Sequence, residues 1–293
     1  MRKFIKEMPI AGSIVKNISS ARRQIKSKIG SYIFYRKNKK FLSENKTLSG
    51  SASGKRCFIL ATGPSVNSQN LRTLKSELVI TLSNFFVHKD FSEINPEYHI
   101  FAASHDPITD EQMVLWFQDA EKHFKNGQKI LLSITDRYLI ENSKLFTKQK
   151  VYYYCLNHVK KLKLNEELDF TTRLPKIGTV THLAMYLAFF IGAKEINLLG
   201  VDHNLFPDGP SVKDHFYEND ESALFRAGYR PREKAGPASL ENTFRSFLTL
   251  WGVYKKIKEY ADSRAVKIFN CSPLSTLDVF PKKELPSSLQ MTI

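Results

Sequence analysis

Short apolar runs alternate with segments of helical periodicity from residue 55 onward. Each run spans five or six residues and is followed by a polar turn or by a stretch of helical spacing. This alternation predicts an α/β fold, a Rossmann-like and mainly parallel sheet with helices on both faces. The predicted strands are Cys57–Ala61, Leu78–Ser83, Tyr98–Ala103, Lys129–Ile134, Val151–Cys155, Glu195–Leu199 and Val266–Asn270. The predicted helices are Gln69–Lys75, Asp110–Lys125, Thr179–Ile191 and Leu240–Ala261.

Residues 14–33 follow a different pattern, that of one amphipathic helix. Isoleucine and valine recur there at helical spacing, while Arg and Lys fall off the apolar stripe. A basic amphipathic helix suits the headgroup region of an anionic bilayer. The alternative is a helix that packs its stripe on the rest of the chain or on a second copy, so self-association stays open. The stripe comprises Ile14, Val15, Ile18, Ile25, Ile29 and Ile33.

The positive charge of the chain is concentrated in the same region. The formal net charge is +15, and residues 1–50 contain thirteen Lys/Arg and two Glu, a balance of +11. The remaining residues therefore carry only +4. Basic arms attract nucleic acid or an anionic membrane surface, and the amphipathic stripe favours the membrane over nucleic acid.

These patterns divide the chain into three parts. Residues 1–47 form a basic, membrane-facing arm, and residues 48–54 (Leu-Ser-Gly-Ser-Ala-Ser-Gly) form a small-residue linker. Residues 55–293 form the catalytic α/β domain. No run approaches the roughly 18 to 20 apolar residues of a membrane-spanning helix, and charged residues interrupt any secretory signal. A cytoplasmic protein, peripheral on the inner face of the membrane, is expected.

The three cysteines of the sequence are far apart and lack CxxC spacing. Neither a disulfide framework nor a zinc site is therefore predicted.

The first predicted strand leads directly into Thr62-Gly63-Pro64-Ser65. The first βα turn at the carboxyl edge of a parallel sheet is where nucleotides bind. A glycine allows close approach of the backbone, and hydroxyls and amides can meet a phosphate. The motif is neither GxGxxG nor a P-loop, and an ordinary Gly-Pro turn is the alternative.

Further small polar residues follow other predicted strands at the same edge. Asn84 follows the second strand and Asp106 the third, where they can meet a base or a ribose hydroxyl or simply cap the next turn. Thr179 and Thr181 open an apolar helix whose amides favour a pyrophosphate. Ser272 follows the last strand and is predicted to line the same cleft.

Two segments after the strand Glu195–Leu199 are candidates for catalysis. Asp202 and His203 come directly after the strand, where an acid–histidine pair can hold ribose or a metal or support a general base. His215 and Tyr217 lie further along in a polar loop long enough to close over a ligand.

Taken in order, these motifs resemble a known group of bacterial proteins. They are a strand into Gly63-Pro64-Ser65, a strand ending in Ser83-Asn84-Phe85, a strand ending in Asp106-Pro107, and the run Ile191-Gly-Ala-Lys-Glu-Ile-Asn-Leu-Leu-Gly-Val-Asp202. Their order and spacing resemble the lipooligosaccharide sialyltransferases, and equally the motility accessory factors and 6-hydroxymethylpterin pyrophosphokinase-like proteins. The similarity covers about residues 56 to 280.

The sialyltransferase resemblance implies an inverting, metal-independent transfer from a CMP-linked sugar to a cell-surface glycan, without a cofactor. It implies that Gly63 and Ser65 contact the phosphate and ribose of the donor. It also implies that Asn84 is the nucleotide-binding asparagine and that a loop histidine, here His215, is the general base.

The chain departs from the family pattern at three positions. Thr62 and Asp106 stand where the family has asparagine, and Asn204 stands where a tyrosine is expected, so Tyr217 is the predicted contact to the leaving phosphate. Two alternatives remain open. One is a pterin-type pyrophosphokinase that uses ATP and magnesium, with Asp106 and Asp202 as metal ligands. The other is a non-catalytic, membrane-associated assembly factor.

Overall fold

The computed structural model describes residues 30–203, 215–229, 239–273 and 275–285. The chain divides into two compact units, residues 1–41 and residues 42–293. Of the first unit, residues 30–41 are described and are helical. Most of the predicted isoleucine stripe, residues 14–29, lies outside the described residues. Within the described part of the chain, no helix is both long and apolar enough to cross a bilayer.

The second unit is built on one parallel sheet of eight strands among the described residues. The strand order is β6-β5-β4-β3-β2-β1-β7-β8, and every neighbouring pair is parallel. The strands are β1 Arg56–Leu60, β2 Leu78–Leu82, β3 Tyr98–Ile100, β4 Lys129–Ser133, β5 Lys150–Asn157, β6 Arg173–Pro175, β7 Glu195–Leu199 and β8 Lys267–Asn270. The predicted α/β class with a parallel sheet is confirmed.

The helices of this unit connect the strands. They are α1 Phe91–Ile94, α2 Asp110–Glu121, α3 Arg137–Ser143, α4 Val180–Phe190, α5 Ala223–Arg226 and α6 Leu240–Asp262. Eight of the eleven residues of α4 are buried, which explains its apolar sequence. α6 buries only its C-terminal half, through Tyr254, Ile257, Tyr260 and Ala261.

Two local predictions were wrong. The predicted helix Gln69–Lys75 is replaced by two short 3-10 helices, Pro64–Ser68 and Leu71–Leu74. Hydroxyl side chains there donate to the backbone three residues earlier, and such bonds compete with a regular helix. β6 was missed, because three residues ending in proline carry no recognisable strand pattern.

The segment predicted as a linker lies against the α/β body. Leu48 and Ala52 are buried, and Gly50 N and Ala52 N donate to the carbonyls of Phe190 and Ile191 at 3.1 and 2.7 Å. Residues 48–54 thus cover the end of α4, and they belong to the compact unit of residues 42–293. Small residues are needed here because the segment packs closely; a Cβ on Gly192 would lie 2.8 Å from Ser53 Oγ.

Among the described strands, the topology has one switch point, between β1 and β7, and we call the edge of the sheet there the β1/β7 crevice. Along the chain the strands run outward from β1 to β6, and β7 then returns to pair on the other side of β1. β1 therefore lies between β2 and β7, and connections on its two sides leave in opposite directions. In open α/β sheets, ligands bind at such a switch point, outside the carboxyl ends of the strands.

Candidate functional site at the β1/β7 crevice

A carboxylate joins the two loops that border this crevice. Asp202, just after β7, is 5% exposed. Its Oδ2 accepts the backbone N–H of Ser65 at 2.9 Å, and its Oδ1 accepts the Ser65 hydroxyl at 2.5 Å. We call this arrangement the Asp202–Ser65 clamp. Both oxygens of Asp202 thus hold the β1 loop in place.

Gly63 is required by the same packing. A Cβ at this position would lie 2.5 Å from Asp202 Oδ2 and 2.5 Å from the carbonyl oxygen of Gly200. The Gly63 N–H also donates to that carbonyl at 2.8 Å. The sequence explained Gly63 by approach of the backbone to a phosphate, but the contact that excludes a side chain is internal to the protein.

The loop after β8 supports the clamp from the other side. Ser272 is fully buried, and its Oγ accepts the N–H of Val201 at 3.0 Å. Ser275 Oγ donates to the carbonyl of Val201 at 2.6 Å, and Thr276 N donates to that of Asp202 at 2.9 Å. Ser272, predicted to contact a nucleotide, is thus held on the backbone beneath the crevice.

The segment from His215 to Tyr217, here called the His215 segment, lies against the β1 turn. His215 Nδ1 and Thr62 Oγ1 are 3.0 Å apart and share a hydrogen bond. The next residue, Phe216, donates its N–H to the Thr62 carbonyl at 2.9 Å. The His215 ring stacks on Tyr217 with the centroids 4.9 Å apart and the planes 5° from parallel. Three residues predicted to form the site, Thr62, His215 and Tyr217, therefore meet.

Asn84 is committed to protein partners. It is buried, its Oδ1 accepts the indole N–H of Trp116, and its Nδ2 donates to Ser222 Oγ at 2.9 Å. The amide thereby links α2 to the residue before α5. These two bonds use one acceptor site and one N–H of the amide, and the predicted nucleotide contact stays a prediction.

Asp106 lies on an exposed turn after β3. β3 is separated from β7 by β2 and β1, which places the two strand ends about 14 Å apart at about 4.8 Å per strand. Among the residues that the structure describes, no group of three or more His, Cys, Asp or Glu side chains could hold a metal ion.

The predicted Asp202–His203 pair points in two directions. His203 Nε2 lies 2.7 Å from the hydroxyl of Tyr254, and burial lowers the pKa of His203 to about 4.

A second histidine, His182, lies at the start of α4 and is fully buried. Its Nδ1 accepts the Gly178 N–H at 3.1 Å, and burial lowers its pKa to about 3. Both histidines are neutral parts of the core near neutral pH.

The two threonines predicted at the start of α4, Thr179 and Thr181, differ in burial. Thr181 is buried and hydrogen-bonds to Tyr254. Thr179, the N-cap residue, is half-buried, and within the described residues its side chain makes no capping hydrogen bond. Of the two, Thr179 is the one that a ligand can reach.

A second clamp was missed by the sequence analysis. Asp136, after β4, accepts the Ser104 N–H at 3.1 Å and the Ser104 hydroxyl at 2.5 Å. It is fully buried, and burial raises the pKa of its carboxyl group. We call it the Asp136–Ser104 clamp. The signal was present, because Asp136 follows a buried strand just as Asp202 does.

No protein-family model and no curated protein matches the sequence. Several solved structures do match, each over 78% of this chain. The monofunctional alpha-2,3-sialyltransferase Cst-I from Campylobacter jejuni is 16% identical, with a TM-score of 0.44 over 80% of that chain. The sialyltransferase CstII from Campylobacter jejuni, solved with cytidine-5'-monophosphate, is 14% identical, with a TM-score of 0.39 over 85% of that chain.

Proposed function

We propose that this protein is a glycosyltransferase that moves a sugar from a nucleotide donor to a glycan acceptor. The observation that carries the proposal is the hydrogen bond between His215 and Thr62 at the β1/β7 crevice. It sets an imidazole beside the first βα turn, at the place where open α/β sheets bind nucleotides. The order of motifs described above supports the finer proposal, a sialyltransferase-like enzyme with a CMP-linked donor.

The geometry narrows the set of donor-binding residues. Ser65 and Asp202 bond to each other, and Asn84, Thr181 and Ser272 also have protein partners. The Gly63 N–H bonds to the Gly200 carbonyl and Pro64 has no N–H, so the backbone of these two residues offers no donor to a phosphate. The proposed contacts to the donor phosphate are the start of α4 at Thr179 and the Thr62 hydroxyl, which can bond to a phosphate oxygen as well as to His215. Exposed amides at a helix N-terminus favour a phosphate group.

The proposed reaction is a direct displacement with inversion. An acceptor hydroxyl oxygen forms a bond to the anomeric carbon while the bond from that carbon to the phosphate oxygen breaks. His215 receives the hydroxyl proton, and the electron pair leaves with the nucleotide phosphate. Imidazole suits this role because its ordinary titration falls near neutral pH. Thr62 orients the ring, and Tyr217 stacks on it beside the departing phosphate.

The acceptor and the location follow from the arm. Residues 1–50 carry +11 of the +15 net charge, which supports attraction to an anionic membrane and hence a lipid-linked glycan acceptor on its cytoplasmic face. Removal of residues 1–41 should release the protein from vesicles of phosphatidylserine and phosphatidylcholine, and high salt should do the same. Undiminished vesicle binding by the truncated protein would exclude this part of the proposal.

The test of the function is a two-step measurement. Nucleotides and nucleotide sugars are first screened by thermal shift, because a ligand at a hundred times its Kd adds about 2.7 kcal/mol of stability. With the best donor, His215→Ala should lower turnover by about 10² to 10⁴ while the nucleotide Kd stays within about threefold. His105→Ala is the matched control, since His105 is exposed on the β3 turn. A screen without any stabilising nucleotide, or normal turnover of His215→Ala, would contradict the proposal.

A further inference from the structure

We propose that Phe216 is the positioning residue that holds His215 against Thr62, in an aromatic site formed by Phe85 and His88. This inference rests on the proposed function in one respect, the use of His215 as the base. The anchoring itself is a physical property of the fold and can be measured without turnover.

Phe216 is tied to the body by its backbone and by its ring. Its N–H donates to the Thr62 carbonyl at 2.9 Å, and its carbonyl accepts Asn67 Nδ2 at 3.2 Å. Its ring meets Phe85 and His88 edge to face, with centroid distances of 5.4 and 5.0 Å. Aromatic pairs in this range and orientation are attractive beyond simple burial.

The site that receives the ring is itself fixed. Phe85 and His88 stack on each other with centroids 5.1 Å apart and planes 8° from parallel, and both side chains are buried. His88 Nδ1 accepts the N–H of Asp90 at 3.1 Å, and Asp90 in turn accepts Arg72 Nε at 2.8 Å. The ring of Phe216 therefore contacts a surface whose orientation is set by the turn after β2.

Phe216 and His215 both contact one residue, Thr62. The N–H of Phe216 bonds to the Thr62 carbonyl, and the ring of His215 bonds to the Thr62 hydroxyl. Once Phe216 is anchored, few rotamers remain that bring His215 to the hydroxyl. A side chain that is ordered before the reaction does not lose that conformational freedom during it. Loss of the Phe216 ring should therefore affect the chemical step more than donor binding.

The experiment compares the wild-type protein with Phe216→Ala and Phe216→Leu. The primary measurement is the rate at which diethyl pyrocarbonate modifies His215, followed by mass spectrometry of the modified peptide. We expect Phe216→Ala to raise that rate about tenfold, because the ring nitrogen leaves Thr62, and Phe216→Leu to restore most of the protection. With a donor, kcat should fall about 30-fold or more in Phe216→Ala while the nucleotide Kd stays within about threefold.

Two further variants keep the test decisive. Asn67→Ala removes one bond to the Phe216 carbonyl from an exposed residue and should raise the modification rate about twofold to threefold, even if Phe216→Ala does not fold. Phe34→Ala, in the separate unit of residues 1–41, should change nothing. Equal modification rates for the wild type, Phe216→Ala and Asn67→Ala would overturn the positioning role. A wild type without glycosyltransfer, but with the expected modification rates, would contradict only the proposed function.

Discussion

The Asp202–Ser65 and Asp136–Ser104 clamps are nearly the same structure at two places in one sheet. In each, a buried carboxylate after a strand accepts both the N–H and the hydroxyl of a serine after the neighbouring strand. The first joins β7 to β1 and the second joins β4 to β3. Only the first borders the point where the strand order reverses and the crevice opens. Similar local chemistry thus occurs at two places in the sheet, and the proposed function gives only the first a role in ligand binding.

The loop of the first clamp is more tightly packed than that of the second, and it contacts the His215 segment. Gly63, two residues before Ser65, is wedged against Asp202, whereas the equivalent residue before Ser104 is Ala102, which carries a side chain without difficulty. The His215 segment lies on the first loop through Thr62. The tighter packing and the added histidine are found together at the crevice.

The largest expected effect is a difference in the free energy of unfolding between variants of the two clamp loops, caused by their different packing. Gly63→Ala forces a methyl group onto Asp202 and Gly200, so we expect the free energy of unfolding to fall by about 3 to 5 kcal/mol, the sum of overpacking and damaged hydrogen bonds. Ala102→Gly at the second clamp should cost only about 0.5 to 1 kcal/mol. Urea denaturation of both variants measures the difference. Similar losses at the two positions would mean that the clamps are packed alike.

A smaller effect concerns acid sensitivity near the first clamp. Burial lowers the pKa of His203 to about 4, below the ordinary value of 6.5. The unfolded chain therefore binds the proton first as the pH falls, and stability is lost between pH 6.5 and pH 4. From pH 6 to pH 4.5 this single histidine should account for about 2 kcal/mol. Between pH 6 and pH 4.5, the free energy of unfolding of His203→Gln should therefore fall by about 2 kcal/mol less than that of the wild type.

The carboxyl group of Asp136, in the second clamp, changes the stability of the protein with pH in the opposite direction to His203. Burial raises the pKa of the Asp136 carboxyl group above its ordinary value of 3.8. The folded state therefore binds the proton at a higher pH than the unfolded state does. The stability that this group contributes is lost as the pH rises through the pKa of the folded state. Asp136→Asn should therefore not reduce the acid sensitivity that His203→Gln reduces. Denaturation curves at several pH values that showed the same change for both variants would contradict the assignment.

The sequence predicted the class of the fold and the edge of the sheet that carries the polar residues. Thr62, Ser65 and Asp202 were predicted from the turns that follow strands and His215 from a polar loop, and the structure places Ser65 against Asp202 and Thr62 against His215. Their partners could not be predicted, since Ser65 meets Asp202 across 137 residues and Thr62 meets His215 across 153. Such pairs depend on β1 and β7 being neighbours, which no local pattern reports.

The roles of individual residues were harder to predict than their places. Asn84 is predicted to contact a ligand, and its amide also bonds to Trp116 in α2 and to Ser222 before α5, which the sequence did not indicate. Asp136 was overlooked although it follows a strand as Asp202 does. The partners of a polar side chain at a strand end come from segments distant in the sequence, so a local pattern does not indicate them.

The most direct test of the central claim is the affinity for CMP of Asp202→Asn and Asp136→Asn, measured by calorimetry against the wild type. Each change replaces one acceptor oxygen by an amide NH2 group that opposes a serine donor, so the local damage is matched. Because only the first clamp holds the β1 turn, Asp202→Asn should weaken CMP binding about tenfold, equivalent to about 1.4 kcal/mol, and Asp136→Asn should stay within about twofold. Equal losses in the two variants, or a larger loss in Asp136→Asn, would contradict a nucleotide site at the β1/β7 crevice.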